Sequence, residues 1–157
     1  MTVVGNSVFA VVNPIWACCR EGDYIPDRVY LILNEKVKDS AEKVKRILNV
    51  LLSEFGKEPD IVEKVCNETD FRALISTIWN VIKKEKLAGN EVAVDMTPGR
   101  KFMSAVIMYS GVGGDMEARA DRVYYLHLQN NEYTNLPWIK IPVVYQKLYE
   151  MKGSLLK

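Results

Sequence analysis

The sequence predicts an α/β fold: Rossmann-like and doubly wound, with a mostly parallel sheet carrying helices on both faces. Three observations predict it. Short runs rich in β-branched and aromatic residues alternate from end to end with amphipathic stretches. Four of the five such runs are almost continuously apolar, as strands covered on both faces are. The strict alternation of strand and helix, joined by right-handed crossovers, winds such a sheet in both directions.

The elements follow in order. SVFAVV (7–12) reads as the first strand, with a short helix beginning after Asn13-Pro14. RVYLIL (28–33) is the second strand. In the helix after it, Val44, Ile47, Leu48, Leu51, Leu52 and Phe55 share one face and Gly56 supplies the stop; Asp39 with Glu42 makes a capping box at its start. PDIVEKV (59–65) is more polar and suits an edge strand. The third helix repeats the pattern with Phe71, Leu74, Ile75, Ile78, Trp79 and Ile82. EVAVD (91–95) is the fourth strand, a helix runs from about Gly99 to Tyr109, and Gly-Val-Gly-Gly (111–114) ends it. RVYYLHL (122–128) is the fifth strand. After Asn130, NNEYTN is a turn and WIKIPVVYQKLYEMK has room for a further strand and a short helix. The chain is thus expected to form a single domain over 1–157, with a core at about 7–130 and a C-terminal extension at 131–157. The first and fourth strands are expected to be neighbours in the middle of the sheet.

Composition narrows the function. With 157 residues, 48% of them apolar and 26% charged, the chain suits one globular domain with a sizeable core. A net charge of +1 argues against coating long nucleic acid, which requires many neutralised phosphates, but not against one small anion held by local cations. Cys18, Cys19 and Cys66 form no CxxC pair and read as small core residues of a reducing compartment. His127 is the one histidine and sits in an apolar strand, so no metal site is expected. The start of the chain has no basic region and its apolar run is too short for a membrane span, so a cytoplasmic protein is expected. No Walker loop, GxGxxG fingerprint, Ser-His-Asp set or paired-carboxylate signature occurs, and no cofactor is expected.

Chemistry concentrates in VAVDMTPGRKFMSAVI (92–107), where a strand breaks at a polar turn and resumes as a helix. In open α/β sheets, ligands sit at the carboxyl ends of strands where the chain order reverses. If the first and fourth strands are adjacent, Val12-Asn13-Pro14-Ile15-Trp16 converges there with Asp95-Met96-Thr97-Pro98-Gly99-Arg100-Lys101. Gly99 permits close backbone approach, Thr97 offers a hydroxyl, and Arg100 and Lys101 add charge to the positive end of a helix. Two cations there oppose the helix dipole unless an anion joins them. The alternative is structural: Thr97 as N-cap, Pro98 as first helical residue, and both cations facing water. Asp95 can cap the turn, orient Lys101 or act in chemistry, capping being the first expectation. Trp16 is either core, the default, or a surface for stacking a base.

Asp95-Met96-Thr97-Pro98-Gly99-Arg100-Lys101-Phe102-Met103 resembles the D-x-T-G-G-x-K-x-M turn of CARF domains, the CRISPR-associated Rossmann-fold domains. SVFAVV followed by Asn13-Pro14 resembles their first ligand loop, and the order of elements from residue 7 to about 130 is also similar. The resemblance implies a homodimer that binds a cyclic oligoadenylate, cyclic tetra-adenylate (cA4) being the first choice, across its two-fold axis. It implies phosphate contacts from Lys101 and the Thr97–Arg100 backbone, with Asn13, Pro14, Ile15 and Trp16 lining the pocket floor. A CARF domain without an attached effector resembles the ring nucleases. These cleave the messenger without metal, by attack of a ribose 2′-hydroxyl that leaves a 2′,3′-cyclic phosphate. On that reading Lys101, Arg100 and Asn13 are the candidate catalytic residues.

Two departures stand out. Pro98 replaces the usual glycine and removes an N–H donor, and Asn13 stands where a serine or threonine is common. Three readings follow: a ring nuclease, a non-catalytic sensor or sponge working with a separate partner, and a generic Rossmann-like protein binding another nucleotide.

Overall fold

The computed structural model describes residues 1–67, 69–113 and 116–155. Strands β1 (Thr2–Val3), β2 (Arg28–Leu33), β3 (Asp60–Val65), β4 (Ala93–Asp95), β5 (Arg122–Leu128) and β6 (Gln146–Glu150) form one sheet in the order β3-β2-β1-β4-β5-β6. The first five run parallel and β6 is antiparallel to β5. The chain order reverses between β1 and β4, as expected, and β3 is indeed an edge strand. The helices are α1 (Val8–Arg20), α2 (Lys38–Ser53), α3 (Phe71–Leu87), α4 (Lys101–Val112) and the short α5 (Met151–Leu155).

The two faces of β2 show how the layers arise. Val29, Leu31 and Leu33 pack with Val11, Val44, Leu48 and Leu52, so α1 and α2 cover one face. Ile32, with Val3, Val94 and Val123, packs with Leu74, Ile78, Ile82, Met103 and Ile107, so α3 and α4 cover the other. Burial on both sides is why these strands are apolar throughout.

The first strand is a correction. Residues 8–12 are not a strand but the opening of α1, and β1 is only two residues long, pairing Thr2 with Leu31 on one side and Asp95 on the other. The Ser7 side chain caps the helix by accepting from the Ala10 N–H at 3.4 Å. Buried residues occur all round α1: Val11, Val12, Asn13, Pro14, Ile15, Ala17, Cys18 and Cys19. A helix enclosed on every side has no polar face, so its apolar run carries no helical period and cannot be told from a strand. Pro14 lies inside this helix, where it removes one intrahelical hydrogen bond at a cost of about 3 kcal/mol that tertiary burial outweighs.

Other boundaries shift for local reasons. A 3₁₀ turn at Glu35–Val37, capped by Asn34, runs straight into α2, so Asp39 lies in its first turn and does not cap it. Asp70 caps α3 by accepting from Ala73 N–H at 2.9 Å. The expected extra strand and helix after Asn130 are β6 and α5. α4 ends at Val112, with Gly113 extended beyond it, while Gly111 lies inside the helix and Gly114 falls outside the described residues. Among the described residues no helix is long and apolar enough to cross a membrane.

Candidate functional site

Three turns meet at the carboxyl end of the sheet: Val4–Ser7 after β1, Asn34–Val37 after β2, and Met96–Arg100 after β4. Between them lies an open crevice of about 380 Å³ whose lining includes Gly5, Asn6, Ser7, Lys36, Gly99 and Arg100. This is the switch point of a doubly wound sheet, where strand ends splay in opposite directions and leave room for a ligand.

The β4–α4 turn is built by Asp95 and Thr97. Asp95 is buried, and its carboxylate accepts from the Thr2 hydroxyl at 2.9 Å and the Thr97 N–H at 2.9 Å. The Thr97 oxygen accepts from the Leu126 N–H of β5 at 2.8 Å, and its side chain also hydrogen-bonds Asp95. Both residues therefore spend their polar atoms on the turn, tying it to β1 and β5. Pro98 is buried behind it. Gly99 has φ 100°, a conformation L side chains rarely adopt, and a Cβ there would meet Met103 Cβ at 3.3 Å. Neither Thr97 nor Pro98 starts the helix. Arg100 is the N-cap residue, in extended conformation and without a side-chain cap, and Lys101 is the first helical residue. Arg100 lines the crevice, and Lys101 stands exposed beside it. Among the described residues no carboxylate lies within ion-pair distance of Lys101.

Burial pushes the Asp95 carboxyl up to about 6, with the Thr97 and Thr2 hydrogen bonds and the nearby terminal amine pulling the other way. The unfolded chain releases this proton near 3.8, so between about pH 4 and 6 the folded protein binds more protons. The group's contribution to stability is thus full below about pH 4 and lost as pH rises through 6. Asp95→Asn is expected to abolish that descent, roughly 2–3 kcal/mol. Urea melts of both proteins across this window check it, and parallel profiles would refute the assignment. Taking the difference between the two proteins also removes the Met1 amine, which burial pushes down to about 6 and which donates to Ala93 C=O.

The expected first ligand loop is placed elsewhere. Asn13, Pro14, Ile15 and Trp16 are mid-helix residues of α1, and none of them lines the crevice. Asn13 is 2% exposed, with its amide committed: Nδ2 donates to Leu136 C=O at 2.9 Å and Oδ1 accepts from Trp138 N–H at 2.8 Å. It pins the long β5–β6 connection to α1, and the Trp16 and Trp138 rings, 5.9 Å apart, complete that contact. Pro14 and Ile15 border a small cavity of about 50 Å³ with Cys18 and Ala93. What occupies the first turn instead is Gly5-Asn6-Ser7. A serine immediately before an apolar run is a helix-start signal, and it pointed to this turn. The Ser7 hydroxyl, besides capping α1, lies 3.2 Å from Asn135 Oδ1. Lys36 had no distinguishing local pattern.

His127 is half-buried on β5, its ring 6.1 Å from Tyr125. Among the described residues no group of three or more His, Cys, Asp or Glu is arranged to hold a metal. A second charged cluster lies at the opposite, amino end of the strands. There Glu85 of α3 accepts from Tyr30 Oη at 2.6 Å, Asn90 at 2.6 Å and Arg28 at 3.0 Å. Burial pushes its carboxyl up, and these hydrogen bonds outweigh it and hold it below the usual range. The cluster fastens α3 to β2.

Comparison with known proteins adds a family. No curated protein matches the chain. Among solved structures it is similar to Can2 from Sulfobacillus thermosulfidooxidans, a structure in complex with cyclic tetra-adenylate. The match has a TM-score of 0.55 at 13% identity and covers 79% of this chain and 30% of that one, so the chain spans less than a third of that protein's length. The likeness shows a shared fold. The model of the family CRISPR-associated protein NE0113 matches residues 20–140, a stretch that contains both the β2–α2 and the β4–α4 turns. Together these bear out the sequence resemblance to the CRISPR-associated Rossmann fold, and the chain belongs to the CRISPR-associated protein NE0113 family.

Proposed function

We propose that the switch-point crevice binds a cyclic oligoadenylate, cA4 first, and that two copies of the chain hold one ring. One observation carries this reading: Arg100 and Lys101 stand exposed at the N-terminal end of α4, one lining the crevice and the other beside it. Cations at this end of a helix are unfavourable alone and favourable once a phosphate joins them. The open, shallow site suits a ring shared between two subunits, because two-fold symmetry supplies every contact twice. Phe71 and Tyr109, both more than half exposed on α3 and α4, give such a dimer an apolar face. The similarity to a fold solved with cyclic tetra-adenylate supports the choice of ligand.

Ring cleavage is a second reading, and Ser7 favours it. Asn13 is buried and cannot reach a ribose, but Ser7 places a hydroxyl in the crevice. The reaction would join the ribose 2′-oxygen to the adjacent phosphorus and break its bond to the 5′-oxygen. The products are a 2′,3′-cyclic phosphate and a 5′-hydroxyl, with the 2′-proton passing through solvent to the leaving oxygen. Here Arg100 and Lys101 would stabilise the charge that builds on phosphorus.

Titration calorimetry with cA4, followed by incubation in EDTA and analysis of products, tests both readings. One ring bound per two chains supports the receptor, and linear products ending in cyclic phosphate support cleavage. Bound but intact cA4 leaves the receptor and removes the nuclease. Absence of binding to cyclic tetra- and hexa-adenylate at micromolar concentration overturns the proposal.

A further inference from the structure

Lys36 stands on the opposite side of the crevice from Arg100. In the strand order, β1 lies between β2 and β4, so the turns after β2 and β4 flank the Gly5–Ser7 turn. Adjacent strands are ~4.8 Å apart, which puts these outer turns about 10 Å from one another at the backbone. The β2–α2 turn is set firmly. Asn34 Oδ1 accepts the Lys36 N–H at 2.9 Å, and Val37 is buried among α1 and α2 side chains. Its charges are sorted as well. Glu35 pairs with Lys38 at 2.6 Å, whereas among the described residues no carboxylate lies within ion-pair distance of Lys36. A lysine that is exposed, lines a cavity and is left unneutralised beside a satisfied Glu–Lys pair has charge available for a ligand.

We propose that Lys36 is a second phosphate contact, separated from the Arg100–Lys101 contact by the width of β1. The crevice then selects ligands carrying at least two phosphates held apart by a nucleoside over those carrying one. This deepens the receptor reading and rests on it. A ligand with a single phosphate reaches Arg100 and Lys101 or Lys36, but not both sides. A cyclic oligoadenylate presents phosphates to both turns at once, and the Gly5–Ser7 turn faces the nucleoside between them.

The test compares wild type, Lys36→Ala, Lys36→Arg and Lys101→Ala, each titrated with cA4 and with adenosine 5′-monophosphate at two or more salt concentrations. Lys36→Ala is expected to weaken cA4 binding by about tenfold, the worth of one partly exposed charge-assisted contact. It should also reduce the salt dependence of cA4 binding, whereas monophosphate binding changes less than twofold. Lys36→Arg, which keeps the charge, should restore most of the affinity. If Lys36→Ala binds cA4 as wild type does while Lys101→Ala loses affinity, Lys36 is no contact and the receptor reading survives. An equal loss of both ligands in Lys36→Ala would refute the two-phosphate selection. Failure of wild type to bind cA4 would remove the receptor reading itself.

Discussion

Replacing Arg100 and Lys101 together by alanine is expected to weaken cA4 binding by two orders of magnitude or more while leaving the protein folded. Each side chain offers a charge-assisted contact to phosphate of about 1.5–3 kcal/mol. Solvent exposure places both near the lower end, and together they amount to about 3 kcal/mol per subunit, on the order of a hundredfold. The control is stability. Lys101 is the first residue of α4, where a cation opposes the helix dipole, and it has no carboxylate partner among the described residues. Lys101→Ala should therefore be as stable as wild type or gain a few tenths of a kcal/mol. Calorimetric titration and a thermal melt on the same samples separate the two effects. Unchanged affinity in the double variant would mean that the ligand lies elsewhere.

Gly111→Ala is expected to lower stability by about 1–3 kcal/mol, although alanine is intrinsically the better helix former by about 1 kcal/mol. A Cβ at this position would stand 2.0 Å from Val123 Cγ2. Val123 is fully buried on β5 and β-branched, so it has no alternative rotamer to retreat into. The helix must move away from the sheet instead. α4 carries Gly99, Arg100 and Lys101 at its leading end, so the shift should also reduce ligand affinity, and Gly111→Leu should do more of both. Denaturant unfolding measures the first effect and titration the second. A Gly111→Ala protein more stable than wild type would show that α4 does not approach β5 this closely.

That glycine also shows where sequence reasoning stops. Gly-Val-Gly-Gly reads as a helix terminator, because glycine commonly ends helices. Gly111 lies within α4, and its purpose is contact with a strand eleven residues further on, which no local pattern announces. Asn13 teaches the same lesson. Beside a proline it reads as a loop residue offering an amide to a ligand, whereas its partners are Leu136 and Trp138, more than 120 residues away. The Asp95–Lys101 turn was legible because its chemistry is local: a carboxylate on Thr97 N–H two residues on, a glycine with positive φ, then two cations entering a helix.

By itself the sequence determined the alternation of strand and helix, the one-sided apolar faces of α2 and α3, the edge character of β3 and the turn that carries Arg100 and Lys101. Each of these is written in residues a few positions apart, because one-sided burial leaves a period and a tight turn leaves its residue types. Only the tertiary structure decided that α1 is a helix, that β1 is two residues held between β2 and β4, and that Ser7 and Lys36, not Asn13, face the crevice. An element buried on all sides loses its period. A two-residue strand exists only through its partners, and a lysine gains meaning only when three separate turns are brought to one end of a sheet.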